Sequence, residues 1–207
     1  TATDIAQTAQ QVSFQCTADG GSFSVNVPLP GLHTVYNALA AIAVGRLLGL
    51  TEDKIAAGLA GYQPGKMRLN IRQYEQVTVI DDTYNASPLS MAAAIDVLAG
   101  IAKGRKIAAI GDMLELGTVA AVAHEKVGVH LATAGAAIVI TVGEMASHAA
   151  AAAMQNGVAM VVACQDHGQA VSELKKLLQP GDTLLIKGSR GMQMEKLLAV
   201  FTPTSEE

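Results

Sequence analysis

Residues 77–112, VTVIDDTYNASPLSMAAAIDVLAGIAKGRKIAAIGD, contain a short apolar run, a helical pattern and a second short apolar run. The first run ends in two adjacent carboxylates, and the helical pattern extends from about residue 88 to 102. Strands that are apolar on both faces and alternate with helices are typical of a parallel sheet covered on both sides. The stretch therefore predicts one β–α–β unit of an open α/β sheet.

The same alternation continues to the end of the chain. Three more apolar runs follow: AAIVITVGE (136–144), VAMVVAC (158–164) and TLLIKGS (183–189). Helical patterns are expected near residues 119–134, 145–156, 167–179 and 192–201. LNIRQY (69–74) is a candidate edge strand. The predicted fold is a Rossmann-like, mostly parallel sheet with helices on both faces.

The first third of the chain has a different pattern. VSFQCTADGGSFSVNVPLPG (12–31) predicts a hairpin with its turn at Asp19, Gly20 and Gly21. Two helices should follow, one from His33 to Leu48 and one beginning at Thr51. The stretch GYQPGKMR (61–68) then interrupts the pattern with Gly and Pro. We place a domain boundary there, between residues 1–64 and 65–207.

Composition restricts the class of function. The 207 residues are 50% hydrophobic and 15% charged, with a formal net charge of -4 and no run of like charges. Neither a nucleic-acid groove nor a membrane surface is indicated, and no apolar run approaches the ~20 residues of a membrane span. Cys16 and Cys164 are far apart and show no metal-ligand spacing, which fits a reducing cytoplasm.

Polar residues follow several of the predicted parallel strands. They are Asp81 and Asp82, Gly111 and Asp112, Gly143 and Glu144, Cys164, and the stretch from Lys187 to Arg190. In open parallel sheets, ligands bind at the carboxyl ends of the strands, where the N-termini of helices also point. The sequence therefore predicts a binding rim at that edge of the sheet.

The turn after the first of these strands carries many hydrogen-bonding groups. Asp81 and Asp82 should point to opposite faces, so that one faces the rim and the other fixes the turn. A rim carboxylate commonly accepts hydrogen bonds from a ribose hydroxyl. Helix capping accounts for Ser87 before Pro88, but it leaves Tyr84 and Asn85 unexplained.

Two cationic segments allow more than one interpretation. Arg68 is either an ordinary surface residue or a cation that reaches a phosphate. KGSR (187–190) is either a carboxylate or phosphate cradle or a solvated helix start. GYQPGKM (61–67) is not a P-loop. The spacing between Gly61 and Gly65 is one residue too short for that motif, and Met67 stands where the motif has Ser or Thr. No strand precedes a GxGxxG motif, which argues against a dehydrogenase.

Six segments in order resemble the Mur ligases. They are GLHTVYNALAA (31–41), GKMRL (65–69), DDTYNASPLSM (81–91), GDMLELG (111–117), HEKVG (124–128) and KGSRGMQME (187–195). Within that family, the third and fourth segments resemble the branch that adds D-alanyl-D-alanine. The resemblance implies that residues 1–64 end the central ATP-binding domain and that residues 65–207 form the C-terminal domain.

The resemblance also implies a reaction. ATP phosphorylates a carboxylate of a UDP-N-acetylmuramoyl-tripeptide, and the amine of D-Ala-D-Ala attacks the acyl phosphate. Positioning and charge neutralisation would then carry the catalysis. Mg²⁺ is implied as a cofactor, with its ligands mostly outside these residues and none assigned here. We expect a monomer, and a chain that does not catalyse alone because it lacks the P-loop.

Site residues follow from the same resemblance. The nucleotide residues would be His33, Asn37 at the adenine, Arg68 at the γ-phosphate, Asp82 at the ribose, Tyr84 and Asn85. The dipeptide residues would be Asn85, Lys187, Ser189 and Arg190, with Arg68 and Lys187 as the catalytic cations. Asp112 and Glu115 would order the site.

Two residues depart from the family pattern, and two other classes stay open. Thr34 replaces a usual Asn and cannot offer an amide to the nucleotide, and Ser87 replaces a common Asn but keeps a capping side chain. A related amide ligase, such as a folylpolyglutamate synthase, is the main alternative. A receiver-like signalling domain is the other, although Gly188 stands where receivers usually have proline.

Overall fold

The computed structural model describes residues 1–18 and 21–201 and separates into two compact units. The first unit is Thr1–Pro64 and the second is Gly65–Glu207. Within the described ranges, no helix combines the length and apolar character needed to cross a membrane.

The first unit contains a three-stranded antiparallel sheet rather than an isolated hairpin. Its strands are β1 (Ala2–Gln7), β2 (Val12–Ala18) and β3 (Gly21–Val27), in the order β1-β2-β3. The predicted pairing of β2 with β3 is present, but β1 was missed, because five of its six residues are exposed and carry no buried alternation. Asp19 and Gly20, in the predicted turn, lie outside the described residues.

Two helices complete this unit, as the sequence predicted. They are α1 (Leu32–Leu47) and α2 (Glu52–Ala60). The core forms where Val35, Ala38 and Ile42 of α1 pack with Phe14 and Val25 of the sheet.

The second unit is a six-stranded α/β sheet. Its strands are β4 (Asn70–Tyr74), β5 (Val77–Asp82), β6 (Lys106–Gly111), β7 (Ile138–Val142), β8 (Met160–Cys164) and β9 (Thr183–Lys187), in the order β4-β5-β9-β6-β7-β8. The edge strand β4 is antiparallel and the others are parallel. The predicted mostly parallel sheet is confirmed.

The last strand lies in the middle of the sheet, between β5 and β6. In this register Lys187 is paired with Asp82 on one side and with Ile110 on the other. A segment more than 100 residues downstream thereby reaches the turn that follows β5.

Helices cover both faces of the sheet. They are α3 (Pro88–Ile101), α4 (Ala120–Thr133), α5 (Ala146–Gln155) and α6 (His167–Leu177). Residues of α6 share one buried cluster with Val79, Ile107 and Ile140 of the strands. Because side chains alternate along a strand, the buried neighbours Ile80 and Ala108 face the side of α3, α4 and α5.

The prediction of an α-helix near residues 192–201 is wrong. The chain forms two 3₁₀ helices there, Arg190–Met192 and Met194–Phe201, separated by Gln193 in the left-handed conformation (φ 49°). Met194 is fully buried, and a Cβ on Gly111 would lie 2.8 Å from its sulfur. Met194 packs closely on Gly111 of β6 and on Gly188, which directly follows β9. These contacts tie the segment to the sheet.

The contact between α4 and α5 depends on a glycine. A Cβ added to Gly128 would lie 2.8 Å from the Ala153 nitrogen and closer still to the Ala149 carbonyl oxygen. Backbone atoms cannot rotate away, so the helices would have to separate. Gly128→Ala should therefore lower the free energy of unfolding by at least about 2 kcal/mol in urea denaturation.

Gly58 provides the matched control, because it is a helical glycine with no described atom within 4 Å of an added Cβ. Gly58→Ala should be neutral or stabilising by up to about 1 kcal/mol. Equal losses for the two variants would contradict the packing described here.

Candidate functional site at the carboxyl rim of the sheet

Lys187 lies at the centre of the rim, and its side chain is only 2% exposed. Its Nζ donates to Asp82 Oδ2 at 2.5 Å and to the Asn85 carbonyl oxygen at 2.9 Å. A buried ammonium requires such partners, because transfer from water without them costs several kcal/mol. Three residues that the sequence assigned to the site are thus brought together.

The two adjacent aspartates point in different directions and have different roles, as predicted. Asp81 is buried, and its Oδ1 accepts from the Thr83 hydroxyl at 2.7 Å and from the Thr83 nitrogen at 3.3 Å, which fixes the turn. Asp82 points to the rim, where its Oδ1 accepts from the Leu69 nitrogen at 3.0 Å. Since its other oxygen binds Lys187, each oxygen of Asp82 already has a protein partner. Its contact with a ribose stays a prediction.

Helix α3 begins as the sequence predicted. Ser87 is its N-cap, and its hydroxyl accepts from the Ser90 nitrogen at 3.3 Å. The Ser90 hydroxyl in turn accepts from the Ser87 nitrogen, which completes a reciprocal capping box with Pro88 at the first helical position. This accounts for Ser87 but not for Tyr84 and Asn85, which are both exposed at the rim.

Ser189 connects three loops. Its buried hydroxyl accepts from the Leu114 nitrogen at 2.8 Å and lies 3.4 Å from the Ala86 carbonyl oxygen. Its own nitrogen donates to the Asp112 carbonyl oxygen at 3.0 Å. The hydroxyl is therefore directed at protein groups in this structure, and its contact with a dipeptide stays a prediction.

The loop after β6 is held by two side chains. Asp112 Oδ1 accepts from the Ala146 nitrogen at 2.7 Å, at the start of α5. The Met113 nitrogen donates to His124 Nε2 at 2.9 Å, and Nδ1 of that ring lies 2.7 Å from the Ala120 carbonyl oxygen. Because a backbone N–H can only donate, Nε2 is the acceptor and the proton is on Nδ1.

Arg68 is exposed and lies 4.0 Å from the centroid of the Tyr84 ring, in a cation–π contact. The Tyr84 nitrogen donates to the Met67 carbonyl oxygen at 3.0 Å. The turn that carries Arg68 is thus joined to the turn after β5 by both backbone and side chain.

Arg190 is also exposed, and its Nη2 donates to Glu195 Oε1 at 2.7 Å. Its Nη1 lies 3.9 Å from the Met67 sulfur. Two exposed guanidinium groups, those of Arg68 and Arg190, therefore lie at this rim. Such a pair suits an anionic ligand.

His33 and Asn37 lie on α1 in the first unit. Asn37 is exposed and His33 is half-buried. Thr34, the departure from the family pattern, is buried and donates its hydroxyl to the Pro30 carbonyl oxygen at 3.1 Å. At this position the side chain completes the start of the helix.

Cys164 ends β8 at the same edge but is buried. Burial, followed by the charges of Glu173 and Asp166, raises the pKa of its thiol. A raised pKa disfavours the nucleophilic thiolate, so we assign it no chemistry.

Sequence reasoning missed the supporting residues of the rim. Asn70 and His124 hold the loops, and Glu195 holds Arg190. His124 and Glu195 both occur in the segments that carry the resemblance, which was the available signal. Asn70 follows directly after GKMRL and had none.

Comparison with known proteins identifies the family of this chain. The model of the Mur ligase glutamate ligase domain matches residues 67–190, and that of the Mur ligase middle domain matches residues 1–45. The chain belongs to the Mur ligase family. This confirms the resemblance found in the motifs and excludes the receiver-like interpretation.

Three similar proteins indicate which branch of the family this chain resembles. The UDP-N-acetylmuramoyl-tripeptide–D-alanyl-D-alanine ligase of Escherichia coli (strain K12) is 39% identical over 202 residues, covering 96% of this chain and 43% of that protein. A crystal structure of MurF from Acinetobacter baumannii has a TM-score of 0.88 and 36% identity, covering 97% of this chain and 44% of the other. MurF from Thermotoga maritima in complex with ADP has a TM-score of 0.81 and 26% identity, with 97% and 45% covered. The 207-residue chain described here therefore spans less than half the length of each of these relatives.

Removing one partner of the buried ion pair should destabilise this Mur ligase chain strongly. Asp82→Asn leaves the Lys187 ammonium buried without its carboxylate, which should cost about 3–5 kcal/mol of unfolding free energy. The double variant Asp82→Asn, Lys187→Met removes both charges and should lose less. Urea denaturation of the second unit measures both.

An exposed pair gives the control for that measurement. Lys176 lies 2.7 Å from Glu173, and its side chain is 63% exposed. Glu173→Gln should change the stability by less than about 1 kcal/mol. A loss of the same small size for Asp82→Asn would contradict the role given to the buried pair.

Arg190 should control the titration of Glu195. Burial alone raises the pKa of Glu195, but hydrogen bonds from Arg190 and the backbone, with the charges of Arg190 and Lys196, bring the pKa below its usual value. The stabilisation is present above the unfolded-state pKa and is lost as the pH falls through the lower folded-state pKa. Arg190→Gln should raise the pKa of Glu195, as measured by its carboxyl ¹³C shift.

Lys196→Gln is the matched charge removal. Because it takes away only a long-range charge, it should raise the pKa of Glu195 less than Arg190→Gln does. Indistinguishable titrations in the two variants would mean that the Arg190 contact is absent in solution.

Proposed function

We propose that this chain is part of an ATP-dependent ligase that joins D-Ala-D-Ala to a UDP-N-acetylmuramoyl-tripeptide in peptidoglycan precursor synthesis. The likeness, over nearly the whole chain, to proteins with that name carries the proposal. We place this work in the cytoplasm, where the free thiols of Cys16 and Cys164 would stay reduced.

On the nucleotide side, we assign Arg68 to the γ-phosphate. Its guanidinium is exposed and directed by the Tyr84 ring, so it can bind a phosphoryl oxygen without first leaving a carboxylate. A cation there neutralises charge as the γ-phosphoryl group moves to the tripeptide carboxylate. His33 and Asn37 would contact the nucleotide from the first unit, with Asn37 at the adenine.

Asp82 would contribute to the ribose side mainly by positioning. Its oxygens bind Lys187 and the Leu69 nitrogen, next to Arg68 in sequence. A ribose hydroxyl can still donate to a carboxylate that has other partners, because each oxygen has two lone pairs.

On the acceptor side, we assign Arg190 to the carboxylate of D-Ala-D-Ala. The guanidinium is exposed and only one of its nitrogens is paired with Glu195. Binding there would orient the dipeptide amine for attack on the acyl phosphate, with phosphate as the leaving group. Asn85, which is exposed on the same rim, would supply an amide.

Lys187 would act through other groups rather than by touching substrate. Its ammonium is buried between Asp82 and Asn85, where it fixes the backbone that carries the exposed rim residues. Ser189 would similarly hold the three loops in register.

Mg²⁺ is the cofactor expected with ATP. Among the residues that the structure describes, no three of His, Cys, Asp and Glu form a cluster that could hold a metal ion. No magnesium ligand is therefore assigned among the described residues, and no step of the proposed reaction is routed through the metal.

Backbone amide NMR of the ¹⁵N-labelled chain tests the acceptor assignment. D-Ala-D-Ala should give saturable shifts around residues 84–86 and 189–191, in the millimolar range expected for a partial site. Arg190→Gln should weaken this binding, because it removes the cation that meets the carboxylate.

L-Ala-L-Ala serves as the matched ligand, with the same charges but the opposite stereochemistry. Preference for the D-dipeptide supports the proposed substrate. Equal shifts for both peptides, or none in this region, would contradict the acceptor site.

A further inference from the structure

The turn that carries Arg68 is held by a neighbouring side-chain amide. Asn70 Oδ1 accepts from the Met67 nitrogen at 3.1 Å. Asn70 Nδ2 donates to the Gly65 carbonyl oxygen at 3.1 Å and to the Arg68 carbonyl oxygen at 3.2 Å. One carboxamide thereby contacts the backbone just before Arg68 and the carbonyl group of Arg68 itself.

This backbone adopts a conformation that needs such support. Met67 and Leu69 have φ values of 63° and 47°, in the left-handed region that L-residues rarely adopt. Non-glycine residues in that region are less stable and persist when surrounding contacts enforce the conformation. Here Asn70 and Asp82, which accepts from the Leu69 nitrogen, supply those contacts.

The conformation determines where the Arg68 side chain points. Arg68 lies between these two left-handed residues, and its guanidinium carbon lies 4.0 Å from the centroid of the Tyr84 ring. Arg68 itself is exposed and has no described carboxylate partner, so the turn and the ring are what direct it.

We propose that Asn70 is a positioning residue that sets the direction of the Arg68 guanidinium for phosphate binding. This inference rests on the γ-phosphate role proposed for Arg68. Asn70 does not touch the nucleotide. Its contribution is to keep a charged side chain in one orientation before the ligand arrives, which lowers the entropy lost on binding.

A double-mutant cycle on the 207-residue chain tests the proposal. The variants are Arg68→Ala, Asn70→Ala and their combination, and the quantity measured by NMR titration is the ratio of the dissociation constants for ADP and ATP. Only ATP has a γ-phosphate, so Arg68→Ala should lower this ratio, by about threefold to tenfold. Asn70→Ala should lower it to a similar extent and should have no further effect when Arg68 is already alanine.

A second readout needs no ligand. Side-chain protons of Arg68 lie over the Tyr84 ring and should show upfield ring-current shifts in the unaltered chain. Asn70→Ala should move these shifts toward random-coil values. Asn70→Asp keeps the acceptor for the Met67 nitrogen but loses both donors, so it should give intermediate shifts.

Gln73→Ala is the control, because Gln73 is a side-chain amide on the same strand, β4, that contacts Glu75 and Thr78 instead of the turn. It should change neither readout. If Arg68→Ala leaves the ratio of the ADP and ATP dissociation constants unchanged, the proposed binding of the γ-phosphate by Arg68 is wrong. If Arg68→Ala lowers the ratio but Asn70→Ala does not, the inference about Asn70 is overturned while the proposed function stands.

Two further outcomes would also overturn the inference. One is that Asn70→Ala weakens ADP and ATP equally, with unchanged Arg68 shifts. The other is that both Asn70 variants unfold the second unit, since the amide would then serve the fold and not the direction of Arg68.

Discussion

The buried ion pair between Lys187 and Asp82 is the interaction on which the rim depends. Removing an ammonium and a carboxylate from water costs several kcal/mol, which their attraction offsets only with good geometry and further hydrogen bonds. Those bonds are present: Lys187 also donates to the Asn85 carbonyl oxygen, and Asp82 also accepts from the Leu69 nitrogen. Such a pair adds little net stability compared with apolar packing, but it fixes how three segments meet. The turn after β5, the end of β9 and the turn that carries Arg68 are therefore placed relative to one another by two side chains.

This framework separates the groups that hold the site from the groups that face a ligand. Lys187, Ser189, Asp112 and His124 are buried and bonded to protein atoms. Arg68, Tyr84, Asn85 and Arg190 are exposed at the same edge. An edge with two exposed guanidinium groups and a rigid support suits a reaction in which anions are aligned and their charge is neutralised. That requirement agrees with the phosphoryl and acyl transfer proposed for the intact ligase.

Much of this could be predicted from local sequence patterns. The alternation of strands and helices, the edge strand β4, the different roles of Asp81 and Asp82, and the cap at Ser87 all follow from neighbours in the chain. The rest depends on contacts between distant segments. No pattern near Lys187 reveals that β9 inserts beside β5, so its pairing with Asp82 could not be found from sequence.

Strand β1 was missed because it is mostly exposed. The final segment was misassigned because its apolar residues repeat like those of an α-helix, while Met194 packs on two glycines. Asn70 acts through the backbone of its own turn, for which a single sequence carries no signal.

The central claim is that a buried Lys187 ammonium, bound by Asp82, organises this rim. The most direct test is the side-chain ¹⁵N spectrum of the lysine ammonium groups in the 207-residue chain at neutral pH. Protons on exposed ammonium groups exchange rapidly with water, whereas those of a buried and hydrogen-bonded group are protected. We predict a protected signal for Lys187, assigned by its loss in Lys187→Met and altered in Asp82→Asn. Rapid exchange at Lys187, equal to that of the exposed lysines, would contradict the account.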